Sequence, residues 1–247
     1  MNATQELMRR HTSVRKFLPD AISDEQLQHW IQAGQQASTS SFIQATSVIR
    51  VRNPTTRCQL AELAGKQEYV ASAPLLLVFC ADLLRASTLA EQQLGHPLPQ
   101  GYIEHLLIAT VDTALFAQNV MLAAESEQYG GVFIGGIRNA PQQVAELLAL
   151  PSLVYPVFAM CLGKPDQVPS LRPRLPTDLV LMEERYQPLQ PEDPRLHQYD
   201  AEVRQYYRER SGGKKDMSWS EQMAQLLGKE ARPHMLAFLH NQGFALR

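Results

Sequence analysis

The sequence lacks most of the features that advertise a particular chemistry. Its three cysteines, Cys58, Cys80 and Cys161, are odd in number and no two stand at C-x-x-C spacing. A disulfide framework and a thiolate metal site are therefore not expected. Cys80 and Cys161 lie in apolar runs, so the thiols read as buried and reduced, which favours a reducing compartment. No run of about 18 uninterrupted apolar residues occurs, so no membrane-spanning helix is expected. The polar stretch from Met1 to Arg10 has no apolar core of a secretory signal. A cytoplasmic location is the expectation that follows. The formal net charge of -2 at pH 7 is far from the basic excess of a nucleic-acid binder. Neither nucleic acid nor membrane is an expected partner.

Signatures of nucleotide binding and hydrolysis are missing as well. There is no G-x-x-x-x-G-K-[ST], and the glycine pairs Gly130-Gly131 and Gly135-Gly136 have the wrong spacing for a dinucleotide fingerprint. Neither H-E-x-x-H nor G-x-S-x-G occurs. The seven histidines do not cluster at metal-ligand spacing. His105 and Asp112, two helical turns apart, read as structural, and no metal is expected.

What is present is an ordinary globular composition, 45% apolar and 19% charged over 247 residues, with ample length for a packed core. Residues 1–10 read as a short helix. The S-x-x-Q box at Ser23–Gln26 opens a helix to about Gln36. Thr46 to Arg52 is rich in β-branched residues and reads as a strand. Asn53-Pro54 looks like an N-cap with proline at the first helical position, opening a helix to about Leu63. The unbroken apolar run Leu75 to Ala81 reads as a strand buried on both faces.

Tyr102 to Glu125 is the longest helical signal. It holds neither Gly nor Pro, and Leu106, Leu107, Val111, Leu115, Phe116, Val120 and Met121 cover most of its circumference. Such a helix should be buried nearly all round, in the core or at a subunit interface. A strand at Val132 to Ile134, a helix from about Pro141 to Leu150 and a strand at Tyr155 to Leu162 follow. From Gly163 to Gln198 proline recurs, which implies an extended arm with a short strand at Leu179 to Met182. Helix returns from about Pro194 to Phe238, broken near Gly212-Gly213, with a second capping box at Ser218–Glu221. Strands separated by helices define an α/β or α+β class with one central sheet.

Five segments carry the chemistry. His11, Ser13 and Arg15 alternate, so an extended backbone would turn an imidazole, a hydroxyl and a guanidinium to one side, where they could converge on an anion. The other reading is a helix C-terminus with basic residues balancing its dipole. Ser38-Thr39-Ser40-Ser41-Phe42-Ile43-Gln44 is a polar loop with one aromatic contact, or simply a connection. Gly65-Lys66-Gln67-Glu68-Tyr69 sets an amide and a phenol on a short polar turn. Glycine pairs at both ends of the Val132–Ile134 run permit close backbone approach by a flat ligand, or merely end the strand. Arg172-Pro173-Arg174 holds two guanidiniums apart and extended, suited to phosphate or to a solvated arm.

Together and in order, these segments resemble the nitroreductase family, in its oxygen-insensitive, NADPH-using branch. The resemblance runs from Leu7 to Gly243-Phe244-Ala245. It rests on H-x-S-x-R-x-F from His11, S-S-F-x-Q from Ser40, G-G-V-F-I-G-G from Gly130, L-G-x-P from Leu162, R-P-R-L-P from Arg172, and the late W-S at Trp219 with K-E-x-R-P from Lys229.

The resemblance implies a single α+β domain over residues 1–247. It would have a central, mostly antiparallel sheet flanked by helices, a buried long helix, an extended arm (163–198) and a C-terminal helical excursion (194–238). The assembly would be an intertwined homodimer with FMN at the subunit interface. His11, Ser13, Arg172 and Arg174 would hold the FMN phosphate or ribityl chain, with Thr12 beside them. Arg15 would face the pyrimidine edge of the ring, where reduction places negative charge. Gln67 would hydrogen-bond the ring near Tyr69. The backbone at Gly130 and Gly131, after Tyr129, would approach N5, and Thr39 would reach the cofactor from the partner chain. Ser41, Phe42 and Arg232 would line the acceptor side. Arg210 and Lys215, in a basic cluster with Arg204, Arg208 and Lys214, would serve NADPH.

The implied activity is two-electron, ping-pong hydride transfer from NADPH through FMN to nitroaromatics, quinones or related acceptors. No protein nucleophile is needed, because the flavin performs the redox step. The alternatives are a non-catalytic FMN-binding protein and an NADPH-flavin reductase that supplies reduced flavin. The chain departs from the family pattern at Thr12, Thr39, Arg172 and Lys164, and in the segment 93–100 that contains Pro97 and Pro99.

Overall fold

The computed structural model describes residues 2–244 and 247. Met1, at the start of the first expected helix, and Ala245, at the end of the family resemblance, lie outside the described residues. The chain divides into two compact units, Met1–Pro169 with Arg232–Arg247, and Ser170–Ala231.

The larger unit is built on a four-stranded sheet, in the order β1-β2-β4-β3, with β1 at Thr46–Arg50, β2 at Leu75–Asp82, β3 at Gly130–Ile134 and β4 at Val154–Gly163. Every pairing is antiparallel. In β2 every residue is buried, and in β4 all but Phe158. Their unbroken apolar runs arise because helices cover both faces of the sheet. Leu76, Val78, Cys80 and Cys161 pack with Leu60 and Val144, from α3 (Pro54–Leu63) and α7 (Pro141–Leu147). The alternate residues Leu75, Leu77, Phe79 and Met160 pack with Trp30, Val120 and Met121, from α2 (Asp24–Gln35) and α6 (Ile103–Ser126). The period of two thus survives as a choice between two buried faces. Pro156, inside a central strand, stands opposite Cys80 where the β2–β4 register shifts, the irregular position that proline requires.

The caps bear out the sequence reading in part. The Asn53 side chain accepts from Thr56 N, with Pro54 opening α3. Ser23 accepts from Gln26 N at 3.0 Å. The expected return bond is not made, because the Gln26 amide is engaged with Glu127 and Tyr129. α1 spans Ala3–Arg9. Three further helices were not foreseen as such: α4 (Glu68–Ser72), in what reads as a polar turn, α5 (Leu84–Leu94), and α11 (Met235–Asn241), separated from the helices before it.

α6 corrects the expectation of burial nearly all round. Ala109, Asp112, Thr113, Ala117, Val120, Met121 and Ala124 face the core. Ile103, Leu107, Val111 and Leu115, spaced four apart on the opposite side, are exposed in the single chain, Leu107 and Val111 at 54% each. By length and composition alone α6 could cross a membrane. Its polar residues instead bind their own chain: Asp112 holds the loop at 39–45, and Thr113 Oγ1 lies 2.8 Å from Ala109 O.

The smaller unit contains α8 (Thr177–Val180), α9 (Pro194–Ser211) and α10 (Trp219–Leu227). α9 and α10 pack through Tyr199, Val203, Tyr207 and Trp219. The capping box at Ser218 is complete in both directions. The strand expected at Leu179–Met182 is instead the end of α8, closed by Leu181 N donating to Thr177 O at 2.8 Å. Val180 and Leu181 are exposed, so the apolar run meets no strand to pair with.

Candidate functional site

Within the larger unit, one group of the sequence-derived site residues gathers around β3. Ser13 bridges Gly131 in parallel, and Phe17 bridges Pro165. Val14 N donates to Gly131 O at 2.9 Å, Leu18 N to Lys164 O at 2.9 Å and Asp166 N to Lys16 O at 2.9 Å. The segment from His11 onward is therefore extended, and it covers what would be an open sheet edge. A Cβ on Gly130 would lie 2.6 Å from Val14 Cγ2, and one on Gly131 would lie 2.6 Å from Cys161 O. Both positions need glycine to admit neighbouring chain, whatever ligand approaches.

The side chains of this segment are positioned by identifiable partners. His11 Nδ1 lies 2.5 Å from Glu125 Oε1 on α6, while Glu125 Oε2 is buried without a hydrogen-bond partner. The Arg15 guanidinium donates to Ser13 O, and Arg15 N donates to Gln167 Oε1 at 3.3 Å. Among the described residues Arg15 forms no ion pair, unlike Lys164, which pairs with Asp20 at 2.8 Å. That pair gives the unusual Lys164 a structural role, and the hydrogen bond to Asp20 raises its pKa. Thr12 is half-buried, with no side-chain hydrogen bond among the described residues.

Gln67 and Tyr69 are joined directly by hydrogen bond, and Gln67 Nε2 donates to Ala64 O at 2.5 Å. Gln67 also abuts Gly136, where a Cβ would lie 2.5 Å from its Nε2. This pair thus sits by the glycines that end β3. Tyr129 is turned toward the core, its hydroxyl donating to Gln26 Oε1 at 3.1 Å and its ring edge-on to Trp30.

Thr39, Ser41 and Phe42 form a second group, in a loop held against α6 by Asp112. Ser41, Phe42 and Gln44 all have positive φ, at 48°, 58° and 55°, and Phe42 is 78% exposed. Left-handed backbone at non-glycine residues persists only where the surroundings hold it. Asp112 supplies that hold. The structural role read for it from sequence is the one it has, toward this loop and not toward His105, whose ring stands edge-on to Tyr102. The signal that could have found it was a lone carboxylate in the apolar run around Val111. Arg232, also strained at φ 50°, donates from Nε to Asn139 Oδ1 at 3.0 Å.

In the smaller unit, Arg172, Arg210 and Lys215 surround Tyr206 and Tyr207. Arg172 lies 6.0 and 5.6 Å from the two ring centroids, Arg210 5.9 Å from Tyr206, and Lys215 Nζ 3.7 Å from Tyr207. Arg210 also donates to the Tyr206 hydroxyl at 3.3 Å. Burial opposes ionisation of Tyr206, but the Arg172 and Arg210 guanidiniums outweigh it and hold the phenol below its ordinary range. Arg174 donates to Arg172 O at 3.3 Å. The basic cluster divides clearly. Arg204 and Arg208 are neutralised by Asp216, whereas Arg172, Arg174, Arg210 and Lys215 form no ion pair among the described residues.

Among the described residues no group of His, Cys, Asp and Glu could hold a metal ion. Cys80 and Cys161 are buried as expected, but Cys58 is exposed on α3.

A glycine-rich strand edged by an extended segment, on which Arg15 forms no ion pair among the described residues, is the setting of the site, and the chain belongs to the nitroreductase family. Residues 8–164 match the nitroreductase family itself and residues 172–247 its C-terminal domain. Along its whole length the chain is 44% identical to NADPH-flavin oxidoreductase of Vibrio harveyi and 42% identical to oxygen-insensitive NADPH nitroreductase of Salmonella typhimurium, covering 100% of each. The solved structure of NADPH:FMN oxidoreductase from Vibrio harveyi, complexed with NAD+, superposes with a TM-score of 0.90 at 42% identity, each chain covered 100%.

Proposed function

We propose that the protein is an FMN-dependent NADPH oxidoreductase that delivers two electrons to nitroaromatics, quinones or related acceptors, and that it works as a cytoplasmic homodimer. The observation that carries this reading is the zipping of residues 13–18 against Gly131 of β3 and against residues 164–166, which continue from β4. That pairing sets Ser13 beside Gly131 and leaves Arg15 without a carboxylate partner. Full-length likeness to NADPH-flavin and NADPH-nitro reductases supports it.

The residues present fit FMN. Gly130 and Gly131 let the donor segment pack flush against β3, which sets its donors along one edge of the sheet. His11, Ser13 and Arg15 are donors to anionic oxygens, and Arg172 and Arg174 carry unneutralised charge for a phosphate. When bound, the flavin supplies the two-electron transfer between NADPH and acceptor. The chain orients and stabilises it. Arg15 offers a permanent positive charge to the pyrimidine edge. Gln67, fixed by Ala64 and Tyr69, offers its amide to the ring. Glu125 fixes the ring plane of His11. Thr12 and Tyr129 take supporting places at the phosphate end and behind the strand.

Arg210 and Lys215 recognise the NADPH phosphate, with Tyr206 and Tyr207 as their platform. Ser41, Phe42 and Arg232 line the acceptor side. Thr39 meets the cofactor of the partner subunit. Its hydroxyl proton goes to Asp112 and it accepts from Gln44 N at 2.8 Å, so its remaining capacity is as an acceptor. The exposed stripe Ile103, Leu107, Val111 and Leu115 is the face that a second copy covers, since an apolar helix face of this length is costly to leave in water.

The reading is tested by NADPH oxidation with a quinone as acceptor, measured for the purified protein and for Arg15→Ala. The variant is expected to lose flavin and to turn over at least tenfold more slowly, in keeping with the loss of a charge-assisted contact. Wild-type flavin content and turnover in Arg15→Ala would refute the role of Arg15. Failure of the parent protein to oxidise NADPH would refute the activity.

A further inference from the structure

Asp112 is 4% exposed, on the core side of α6, in a stretch otherwise made of apolar residues, Thr110 and Thr113. A carboxylate in such a place is costly unless its oxygens are satisfied. Here they are, and among the described residues every hydrogen bond to them comes from one loop. Thr39 Oγ1 donates to Oδ2 at 2.5 Å, Ala45 N to Oδ2 at 3.2 Å and Ser40 N to Oδ1 at 3.0 Å. The neighbouring Thr113 lies 3.3 Å from Thr46 Oγ1, just past the loop. The clamped residues bracket Ser41, Phe42 and Gln44, whose backbones are left-handed. Asp112 also borders a small cavity of about 70 Å³, lined with Thr39, Gln44, Thr46, Arg85 and Phe116.

We propose that Asp112 is a positioning residue for the acceptor site: its buried carboxylate clamps both ends of the 39–45 loop and so fixes where Ser41 and Phe42 stand. The inference rests on the assignment of those two residues to the acceptor side. A carboxylate suits the task because it accepts on both oxygens at once. The isosteric amide cannot, since its NH₂ group would face a donor at one end of the loop. Among the described residues the loop's strained backbone has no other charged side-chain anchor, and charge-assisted hydrogen bonds exceed neutral ones such as that of Gln44 N to Thr39.

The test is Asp112→Asn in the flavin-loaded protein, with two readouts. Hydrogen exchange of the amides in residues 38–45 is expected to rise at least tenfold, and KM for a quinone to rise about tenfold while kcat stays within about threefold. Val144→Ala, buried on the other side of the sheet, controls for stability: it should lower the melting temperature without moving KM. Unchanged loop exchange would overturn the clamp. Faster exchange with unchanged KM would overturn the link to the acceptor site. If Asp112→Asn does not fold, Thr39→Val removes the side-chain donor together with the acceptor for Gln44 N; exchange of residues 38–45 should rise, by less, and unchanged exchange would overturn the clamp. If the parent protein proves inactive, the exchange readout still decides the clamp, so the two failures are told apart.

Discussion

Gly131 stands where β3 meets the amino-terminal segment on one side and β4 on the other, and replacing it with alanine tests how tightly that junction is built. A methyl group there would lie 2.6 Å from Cys161 O, 2.7 Å from Leu162 Cδ2 and 3.0 Å from Met121 Cε. The first of these is backbone within a central strand, so it cannot swing away as a side-chain end can. Forcing an extra carbon into a packed interior costs about 1–3 kcal/mol. Restricting the unfolded chain returns about 0.4–1 kcal/mol. The net loss is therefore about 1–2 kcal/mol, or roughly 2–8 °C in melting temperature for a chain of this size. Gly135→Ala is the matched control, because its new methyl would meet only the end of the Arg138 side chain, at 3.2 Å. Calorimetry of the two variants should show a clear drop for Gly131→Ala and little change for Gly135→Ala. Since Gly131 O also accepts from Val14 N, the first variant should retain less FMN. Equal melting temperatures for both would refute the claim that β3 is glycine-rich for steric reasons.

Other expectations are as direct. Val111→Asp places a charge in the middle of the exposed stripe on α6 and should convert a dimer to monomer in light scattering, whereas an unchanged mass would remove that face from the interface. Arg210→Ala should raise KM for NADPH at least tenfold and leave KM for NADH nearly unchanged, and equal effects would remove Arg210 from phosphate recognition. Burial pushes the Cys80 and Cys161 thiols up to about 12, so at pH 8 only Cys58 should react with a thiol reagent unless the protein is denatured. By linkage, the unfolded chain releases those two protons near its ordinary 9.0 while the folded chain keeps them. Stability should therefore decline as pH rises from about 9 toward 12, and a flat alkaline profile would contradict that burial.

Much of the fold was legible because its signals are local. Asn53-Pro54 and the Ser218 box start helices where their own side chains satisfy free backbone N–H groups, and the runs in β2 and β4 are too apolar to lie anywhere but between layers. The parts that were not legible depend on distant partners. α5 begins at Leu84 after Leu83, which offers no side-chain cap, and the carboxylate that does meet a free N–H there, Asp82 accepting from Arg85 N at 3.3 Å, is itself the last residue of β2. The run at Leu179–Met182 has strand-like composition but no neighbour to pair with. Periodicity shows that α6 is apolar all round, yet only the packed chain separates the core side from the stripe left exposed.

The candidate site was legible as segments and not as contacts. Sequence placed His11, Ser13 and Arg15 on an extended stretch, and the bridge to Gly131 agrees with it. It did not foresee that Glu125 holds His11, that Arg172 shares Tyr206 with Arg210 and Tyr207 with Lys215, or that Asp112 clamps the loop of Ser41 and Phe42. Each of those partners is far away in the chain from the residue it holds.

The central claim is tested most directly by measuring flavin in the purified protein, released by denaturation and quantified against protein concentration, alongside the native mass. The account predicts one FMN per chain in a species of two chains, and recovery of that ratio when stripped protein is incubated with FMN. A colourless monomer that takes up no FMN in excess cofactor would contradict it.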